Sequence, residues 1–568
     1  MSVFVRGIIL FVLTCVASAA WSERGRDGQV KIFYWQAPSI LNPYLSPGIK
    51  DIEASSLVLE PLARFDDTGQ IVPWLAESVP DIENGGVSED MTSITWVLRD
   101  DLLWSDGTPV TSEDLKFTWA YCTAEGTGCA QAEKYGGIRS IETPDPRTAI
   151  VRFDAPRPFP YTAFVGATSP VLQAAQFAEC LGPRAVECTD ANFAPIGTGP
   201  FVVEEFRPND VVLYAANTRY RDPDKPTFGR VLIKGGGTAE TAARAVLETG
   251  EFDYAWNLQL APDVLTRMES VGKGVVVSGF ATLVERLALN LTDPDPALGK
   301  QRATVINPHP ALSDPAVRQA LSMAIDRALL VEIGYGPTGR VTCNILPAPE
   351  IFASQANESC RVQDIQGAND LLDAAGWLDS DNDGVRDKDG VDLRFLFQSS
   401  VNAVRKDFQE MIKLWWSQIG VQTELRAIDA AVFFGGDPGS PDTVQKFFAD
   451  VQMFANMFDG TDPEAYLASW RCDRIPSPDN QWQGSNYTRY CNPDYDAMTD
   501  TMRSTGALED RARLAKQMND MLVQDFVLLP LVDRGRVSAH TKSLGGVQLN
   551  TWDSELWNIA DWTRLRME

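Results

Sequence analysis

The segment MFDGTDPEAYLASW, residues 457–470, holds two aspartates whose spacing suits either a binding site or the start of a helix. Asp462 stands directly before a proline, where its carboxylate can accept a hydrogen bond from the first amides of a helix beginning near Glu464. Asp459, beside Gly460, could shape a turn, ligate a metal ion or pair with a cation on a ligand. The residues around Asp459 leave these three roles open.

A second acidic segment, DSDNDGVRDKDG at residues 379–390, places oxygen ligands at alternate positions of a loop. Calcium in such a loop takes about six to eight oxygens. Position 12 is Gly390 instead of the bidentate glutamate that completes an EF-hand, so the match is partial. The segment predicts a structural calcium site or, alternatively, a hairpin held by Asx turns. The candidate calcium ligands are Asp379, Asp381, Asp383, the Val385 carbonyl and Asp387.

Side-chain patterns for catalysis are scarce. Neither H-E-x-x-H nor G-x-S-x-G occurs, and the histidines are His309 and His540. The segment GYGPTG at residues 334–339 has dinucleotide-loop spacing, but it follows a predicted helix and contains Pro337, which favours an ordinary glycine-rich loop. A secreted hydrolase with a carboxylate pair stays open as an alternative, because the chain has 77 acidic residues. We expect a binding protein without catalysis and without an organic cofactor.

Length and charge narrow the class of protein. The chain has 568 residues, and single hydrophobic cores stop growing near roughly 250–300 residues, so two or three lobes are expected. The hydrophobic fraction of 44% is that of a globular protein. A net charge of −27 argues against a nucleic-acid partner, because that binding depends on Lys and Arg neutralising phosphates.

Residues 1–20 have the pattern of a secretory signal peptide. Arg6 precedes a short apolar stretch, which ends at an Ala-Ser-Ala cleavage pattern, residues 17–19. A lipid anchor on Cys15 is disfavoured, because Thr14 replaces the small residue that such a site prefers. No later segment is apolar enough to predict a membrane span. We therefore expect an exported protein.

The other eight cysteines lie in close pairs along the chain. An oxidising compartment would allow each pair to close a local loop, and sequence proximity favours this connectivity among the many that eight cysteines permit. A structural zinc site is disfavoured by the absence of C-x-x-C and by the two histidines. The expected disulfides are Cys122 with Cys129, Cys180 with Cys188, Cys343 with Cys360, and Cys472 with Cys491.

Strand and helix patterns alternate along the chain with no fixed repeat, which predicts a mixed α/β fold. Alternating apolar residues predict strands at Val30–Trp35 and around Trp96. A capping box at Thr111 and Asp114 predicts a helix start. The segment SDPAVRQALSMAIDRALLVE predicts one helix capped by Asp314, with its apolar face formed by Val317, Ala320, Leu321, Ala324, Ile325, Ala328 and Leu329.

Five stretches occur together in the order typical of one family. In them the chain resembles the extracellular solute-binding proteins of bacterial ABC importers, of the large oligopeptide- and dipeptide-binding type. The resemblance covers nearly all of the chain after residue 20. The stretches are WSDGTPVTSEDLKFTW (104–119), PIGTGPFVVEEF (195–206), LALNLT (287–292), SDPAVRQALSMAIDR (313–327) and SNYTRYCNPDYDAM (485–498).

The resemblance implies an α/β, two-lobed periplasmic-binding-protein fold with an additional domain, its lobes joined by a hinge. The implied division is a signal peptide at 1–20, a discontinuous lobe I at 21–57, 194–285 and 534–568, an extra domain at 58–193, and lobe II at 286–533.

The resemblance also implies a periplasmic, monomeric protein that captures short peptides between its lobes and delivers them to a membrane ABC permease. An oligosaccharide, an opine or a metal chelate is the alternative solute. In peptide-binding members an aspartate at the position of Asp459 meets the α-ammonium of the peptide. Further cleft candidates, although residues of these types more often belong to a buried core than to a ligand site, are Trp35, Trp256, Asn257 and Tyr487.

Overall fold

The computed structural model describes residues 24–458 and 460–565. The predicted signal peptide, Cys15 and Asp459 lie outside these described residues. Strands and helices alternate as predicted, and no described helix has both the length and the apolarity that crossing a membrane requires. The α-helices are Ile49–Ser55, Ser112–Thr123, Ala174–Phe177, Thr189–Phe193, Ala239–Leu247, Pro262–Glu269, Pro315–Met323, Arg327–Gly334, Ile365–Ala374, Ala403–Ser417, Ala430–Phe433, Glu464–Leu467, Pro493–Ser504 and Leu508–Gln524.

The first large sheet has seven strands built from distant parts of the chain. Its central strand Gln29–Tyr34 confirms the strand predicted at the start of the fold, and it pairs in parallel with two neighbours. The side chains of Val30, Ile32 and Tyr34 are fully buried on one face. In spatial order the strands are Gly274–Gly279, Arg536–Thr541, Tyr254–Ala255, Gln29–Tyr34, Arg230–Gly235, Val211–Ala216 and Phe201–Arg207.

The second large sheet has six strands from the later half of the chain. Helix Ala403–Ser417 connects two parallel strands, the usual arrangement for a parallel pair. The central strand Val284–Leu289 is buried along its whole length, as a strand covered on both faces must be. In spatial order the strands are Gly339–Val341, Leu528–Arg534, Val284–Leu289, Val451–Asn456, Arg394–Ser400 and Gln422–Ile428.

A third sheet belongs to a separate hydrophobic core that includes Trp104. The predicted capping box is confirmed, since the side chains of Thr111 and Asp114 cap the helix Ser112–Thr123 that packs on this sheet. The sheet consists of Ser93–Val97, Thr148–Phe153 and Ile138–Asp145. Three small two-stranded sheets pair Ala63–Phe65 with Ile71–Pro73, Asp387–Lys388 with Val391–Asp392, and Leu544–Gly545 with Thr563–Arg564.

The helix predicted to run from Asp314 through Leu329 is in fact two helices. Asp314 caps the first, as predicted, by accepting a hydrogen bond from the amide of Ala316, but that helix ends at Met323. Asp326 caps a second helix by accepting from the amide of Leu329 at 3.0 Å. The prediction was wrong because apolar spacing continues across the break, while the capping carboxylate of Asp326 ends one helix and begins the next.

Two short chain segments cross side by side from the first sheet to the second. Gly279 pairs with Arg536 at the edge of the first sheet, and Val284 pairs with Asp533 in the second. Only the four residues after Gly279 and the two residues before Arg536 lie between these pairs. Short adjacent crossings suit a hinge, because few backbone torsions must change when the lobes move. The predicted domain boundaries stay a prediction.

The four disulfides join the cysteine pairs that sequence proximity predicted. Each closes a loop within one part of the fold, with sequence separations from 7 to 19 residues. They therefore restrict local segments and leave the two crossing segments free of covalent links.

We predict that replacing Cys343 and Cys360 together by alanine lowers the free energy of unfolding by about 3 kcal/mol, because their 17-residue separation removes entropy from the unfolded chain. The matched control replaces Cys180 and Cys188, separated by 8 residues, and is expected to cost about 0.7 kcal/mol less. Urea unfolding under oxidising conditions measures both. A larger loss in the control contradicts the loop-length argument.

Candidate functional site

Between the lobes lies a cleft with two connected arms. The space inside the first arm is about 780 Å³ and that inside the second about 890 Å³, each including a part that is open to solvent. The first arm is lined by Gln36, Lys50, Trp256, Asn257, Arg405, Arg534 and Glu555, among others. The second is lined by Glu53, Glu133, Lys134, Asp462, Tyr466 and Ser469, among others. Both arms share Pro47, Ile49, Asn456, Met457, Tyr487 and Arg536.

The lobes are in contact around this cleft, so the structure is a closed form. The hydroxyl of Ser46 donates to the Phe434 carbonyl at 3.4 Å, from one side of the cleft to the other. Elsewhere on the rim, the amide of Gly460 donates to the Trp552 carbonyl at 2.8 Å. Closure of this kind excludes bulk water and strengthens every charge interaction inside.

A buried cluster of two arginines and one glutamate lies at the first arm. Arg405 is fully engaged: its Nε and Nη2 donate to the Glu285 carboxylate at 2.7 and 3.2 Å, and its Nη1 donates to the Ser400 hydroxyl at 2.7 Å. Arg534 is a second cation beside the same carboxylate, with its Nε 3.7 Å from Glu285 Oε2. Burial lowers the pKa of Arg534, while the tyrosine and glutamate beside it oppose that shift. Arg534 therefore brings a second positive charge to the single carboxylate of this cluster, and Glu555 of the neighbouring cluster also acts on it.

A second buried cluster, which has more carboxylates than guanidinium groups, lies between the arms. Arg536 donates to the Asp553 carbonyl at 2.8 Å and to Glu53 Oε1 at 3.4 Å, and it lies 4.0 Å from Glu555. Glu555 accepts hydrogen bonds from the hydroxyls of Tyr254 and Ser538. Burial raises the pKa of Glu53 to about 7; Arg536 opposes this rise and Glu555 adds to it. Two carboxylates therefore share one guanidinium.

The second arm adds further carboxylates. Glu133 is half-buried, and burial raises its pKa against the lowering effect of Arg474 and Lys134. Asp462 is neutralised by Arg511, whose Nε and Nη2 donate to it at 2.8 and 2.6 Å. The predicted capping role of Asp462 is confirmed as well, since its Oδ1 accepts from the amide of Glu464 at 3.0 Å.

The residues proposed from the sequence fall at different distances from the cleft. Trp256 and Asn257 line the first arm, and Tyr487 lies where the two arms meet. Trp35 is buried beneath the wall, and its Nε1 donates to the Asn257 carbonyl at 2.9 Å. Asp459 lies outside the described residues, and the preceding residue, Phe458, lines the second arm.

Sequence reasoning missed most of the charged lining of the cleft. The missed residues are Lys50, Glu53, Glu133, Lys134, Arg405, Arg534, Arg536, Asp553 and Glu555. One signal was present: the segment VLLPLVDRGRVSAH, residues 527–540, places two arginines and an aspartate in an otherwise apolar strand pattern. Charges at positions that must be buried indicate a paired or ligand-binding role.

The acidic loop 379–390 lies apart from the cleft. Carboxylate oxygens of Asp379, Asp381 and Asp383 come within 4.8 Å of one another on an exposed surface. The carboxylate of Asp387 instead accepts from the amide and hydroxyl of Ser380 at 2.9 and 2.8 Å. The backbone amides of Asp383 and Val385 donate to the carboxylates of Asp381 and Asp383, each two residues earlier, which are Asx-turn contacts of the alternative hairpin. Calcium binding at this loop stays a prediction.

His309 is engaged on both ring nitrogens. Its Nδ1 accepts from the amides of Ala311 and Leu312 at 3.1 and 2.9 Å, and its Nε2 donates to Asp450 Oδ1 at 2.8 Å. Neither His309 nor His540 lines either arm of the cleft. The imidazoles therefore supply no base or metal ligand to the enclosed site formed by the described residues.

Residues 70–476 match the family model of bacterial extracellular solute-binding proteins, family 5 Middle. The chain belongs to this family. A putative ABC transporter peptide-binding protein of Brucella ovis is 25% identical over 438 residues, which cover 76% of this chain and 73% of that protein.

Two solved structures resemble this family 5 protein over nearly their whole length. AppA from Bacillus subtilis, an oligopeptide-binding protein in complex with a nonapeptide, matches with a TM-score of 0.81 at 17% identity, covering 96% of this chain and 100% of AppA. NikZ from Campylobacter jejuni, in complex with Ni(L-His), matches with a TM-score of 0.77 at 23% identity, covering 94% and 99%. The predicted two-lobed α/β fold is therefore confirmed. In an extracellular solute-binding protein of this fold, the enclosed interlobe cleft is the natural place for the solute.

We predict that the stability of this family 5 protein falls between about pH 5 and pH 8, in part because of Glu53. Its folded-state pKa of about 7 lies above the ordinary value of 4.5. The contribution of Glu53 to stability is therefore complete below about pH 4.5 and is lost as the pH rises through about 7. Glu53→Gln should reduce this fall in the free energy of unfolding by about 2–3 kcal/mol. Urea unfolding of both proteins at the two pH values measures it, and an unchanged pH dependence contradicts the assignment.

Proposed function

We propose that this protein is the substrate-binding component of an ABC importer, which captures short peptides in the interlobe cleft and delivers them to a membrane permease. The observation that carries the proposal is the opposite charge balance of the two arms in one enclosed cleft. The Brucella ovis relative, a putative ABC transporter peptide-binding protein, and AppA, an oligopeptide-binding protein, support the same substrate class.

A short peptide has the charge distribution that this cleft complements. It carries an ammonium group at one end and a carboxylate at the other. The first arm has the excess guanidinium of Arg534, and the second arm has the carboxylates of Glu53 and Glu133. Phe458 lines the second arm, and the next residue in the sequence, Asp459, is the proposed partner of the ammonium group.

The walls of the cleft can receive the side chains of such a ligand. Trp256, Phe454, Met457 and Tyr487 give it apolar surface, and the amide of Asn456 gives it polar groups. Aromatic and thioether side chains adapt to ligands of different shape, since their contacts do not depend on one hydrogen-bond geometry. This composition suits a site that accepts several peptides.

Lobe closure would couple binding to transport. Closing the cleft around an empty site would leave buried charges without partners, at a cost of several kcal/mol. A ligand that supplies both missing charges removes this cost and favours the closed form over the open form. We propose that the permease recognises this closed form. The protein acts as a monomer in the periplasm after signal-peptide cleavage, and it makes no covalent change to its ligand.

Native mass spectrometry of protein purified from its own host tests the substrate class, with any ligand that co-purifies released and identified. A ladder of short peptides supports the proposal. A single oligosaccharide, an opine or a metal chelate would overturn the peptide assignment while keeping the role in solute capture. Conversion of the added peptide into a product would instead favour the secreted hydrolase.

We predict that Asp459→Asn weakens the binding of a free-amine tripeptide by about 10- to 100-fold, because one charge-assisted hydrogen bond is lost. The same peptide with an acetylated amino terminus lacks the ammonium group and provides the control. It should bind more weakly than the free-amine peptide, and its affinity should be the same for the wild type and the variant. Isothermal titration calorimetry of the four combinations measures the coupling. Equal losses for the free and acetylated peptides would contradict a direct role for Asp459.

We also propose that the acidic loop holds calcium through Asp379, Asp381 and Asp383, whose carboxylates converge. About 1 mM CaCl₂ should then raise the thermal midpoint of the wild type relative to the same buffer with excess EGTA. Asp381→Asn should abolish the rise. Identical midpoints of the wild type with calcium and with EGTA would leave the loop an Asx-turn hairpin.

A further inference from the structure

We infer that a buried ion pair between Arg157 and Glu464 is a latch, which forms when the cleft closes and joins the two walls of its second arm. The inference goes beyond the proposed function, because it applies to any solute that the cleft encloses. Arg157 packs on the core of the third sheet, with its guanidinium carbon 5.1 Å from the ring centroid of Phe153. Glu464 begins the helix Glu464–Leu467, which packs in the core beside the second large sheet.

The pair connects these two cores and is closed off from solvent. Nη2 of Arg157 lies 3.7 Å from Oε1 of Glu464, and the two side chains are 4% and 2% exposed. Among the described residues, Glu464 is the one carboxylate within 4 Å of Arg157. In an open form water can solvate this guanidinium, whereas in the closed form its charge depends on Glu464. The pair therefore contributes to the closed form and not to the open one.

Two further arginines lie at the same contact. Nε of Arg503 donates to Oε1 of Glu464 at 3.1 Å, and Arg511 is already paired with Asp462. Burial lowers the pKa of Arg157, Glu464 opposes this shift, and the other two arginines add to it. Three guanidinium groups thus meet two buried carboxylates on closure. Without Glu464 the closed form would bury three guanidinium groups against one carboxylate.

The latch is imperfect, as a reversible contact must be. Oε2 of Glu464 and Nη2 of Arg503 are buried and have no hydrogen-bond partner among the described residues. In an open form both atoms can bind water, so closure costs free energy at the contact that also provides the ion pair. The latch then favours the closed form without holding an empty cleft shut, which would exclude the solute.

The latch is connected to both walls of the second arm. Nη2 of Arg157 also donates to the Gly136 carbonyl at 2.8 Å, directly after the turn that carries Glu133. The helix that begins at Glu464 carries Tyr466, and this helix packs against that turn. Glu133 and Tyr466 both line the second arm, whereas Arg157 and Glu464 line neither arm. The two latch residues are therefore positioning residues, which act through the walls that they join.

A second contact beside the latch shows how closely the two parts approach. A Cβ at Gly506 would lie 3.2 Å from Cβ of Pro158, the residue after Arg157. The guanidinium carbon of Arg511 lies 5.9 Å from the ring centroid of Phe159. Segment 157–159 is thus seated against the second part of the protein along its length.

The test compares the wild type, Glu464→Gln, Arg157→Met and the double variant, each as the full mature chain. Isothermal titration calorimetry measures the Kd of the Ala-X-Ala tripeptide that the wild type binds most tightly. Glu464→Gln should weaken binding by about 10- to 100-fold, because closure then buries Arg157 without its carboxylate. Adding Arg157→Met should restore the affinity to within about threefold of the wild type, since that guanidinium is then absent.

Urea unfolding of the four ligand-free proteins distinguishes a latch from a permanent ion pair. Glu464→Gln should unfold more easily, because Arg503 loses a partner in every form of the protein. Adding Arg157→Met should not restore that stability, since the open form lacks the pair. The matched control is the exposed pair of Arg152 and Glu142 within the third sheet, at 2.6 Å. Arg152→Met and Glu142→Gln should leave the Kd unchanged.

Three outcomes overturn the inference. Glu464→Gln binds the tripeptide as tightly as the wild type, or Arg157→Met fails to restore its affinity, or Arg157→Met restores the unfolding stability of the ligand-free protein as well. The last result would show a pair that is present in the open and closed forms alike. Where a variant fails to fold, Arg157→Gln replaces Arg157→Met, Glu464→Met replaces Glu464→Gln, and the same criteria apply.

Failure of every peptide to bind the wild type would overturn the proposed function, and a second measurement then decides the inference. Double electron–electron resonance gives the distance between spin labels at the exposed positions Arg139→Cys and Gln517→Cys, in protein that keeps the solute of its host. The latch predicts one short distance for the otherwise wild-type protein and an additional longer distance when Glu464→Gln is present. The same single distance in both proteins overturns the latch, whatever the solute is.

Discussion

The structure depends on the seam where two strands of the second sheet continue into the first. Val284–Leu289 and Leu528–Arg534 lie side by side, and a few residues beyond their ends connect them to the first sheet. This seam is also where Glu285, Arg534 and Arg536 are buried. The register of these strands therefore determines where the buried charges lie at the hinge, because a register shift of one residue would turn these charges to the opposite face of the sheet.

Buried charge at a hinge has a functional consequence. In an open form water can solvate the guanidinium groups, while in the closed form each charge depends on its protein partners or on a ligand. The Glu285 cluster has fewer carboxylates than guanidinium groups and the Glu53 cluster has more. The first cluster lies at the first arm of the cleft, and the second lies between the two arms. A solute with separated opposite charges satisfies both clusters at once, which relates the choice of solute to the movement of the lobes.

Local features of this fold were accessible from the sequence, and long-range features were not. The caps at Asp114 and Asp314, the first strand and the four disulfide pairs follow from neighbouring residues and were predicted correctly. The break between Met323 and Arg327 was missed because apolar spacing continues through it. The charged lining of the cleft was missed because its members come from five separate segments, which are brought together only by folding.

The sequence by itself determined the α/β class, the export signal pattern, the family and the local caps, because these depend on composition, short motifs and the spacing of neighbouring residues. The tertiary structure alone decided which charges are balanced. Arg405 and Arg534 look alike in the sequence. Arg405 donates to both carboxylate oxygens of Glu285, whereas Arg534 has only uncharged acceptors at hydrogen-bond distance. That difference arises from distances between residues more than 100 positions apart, which no local pattern can specify.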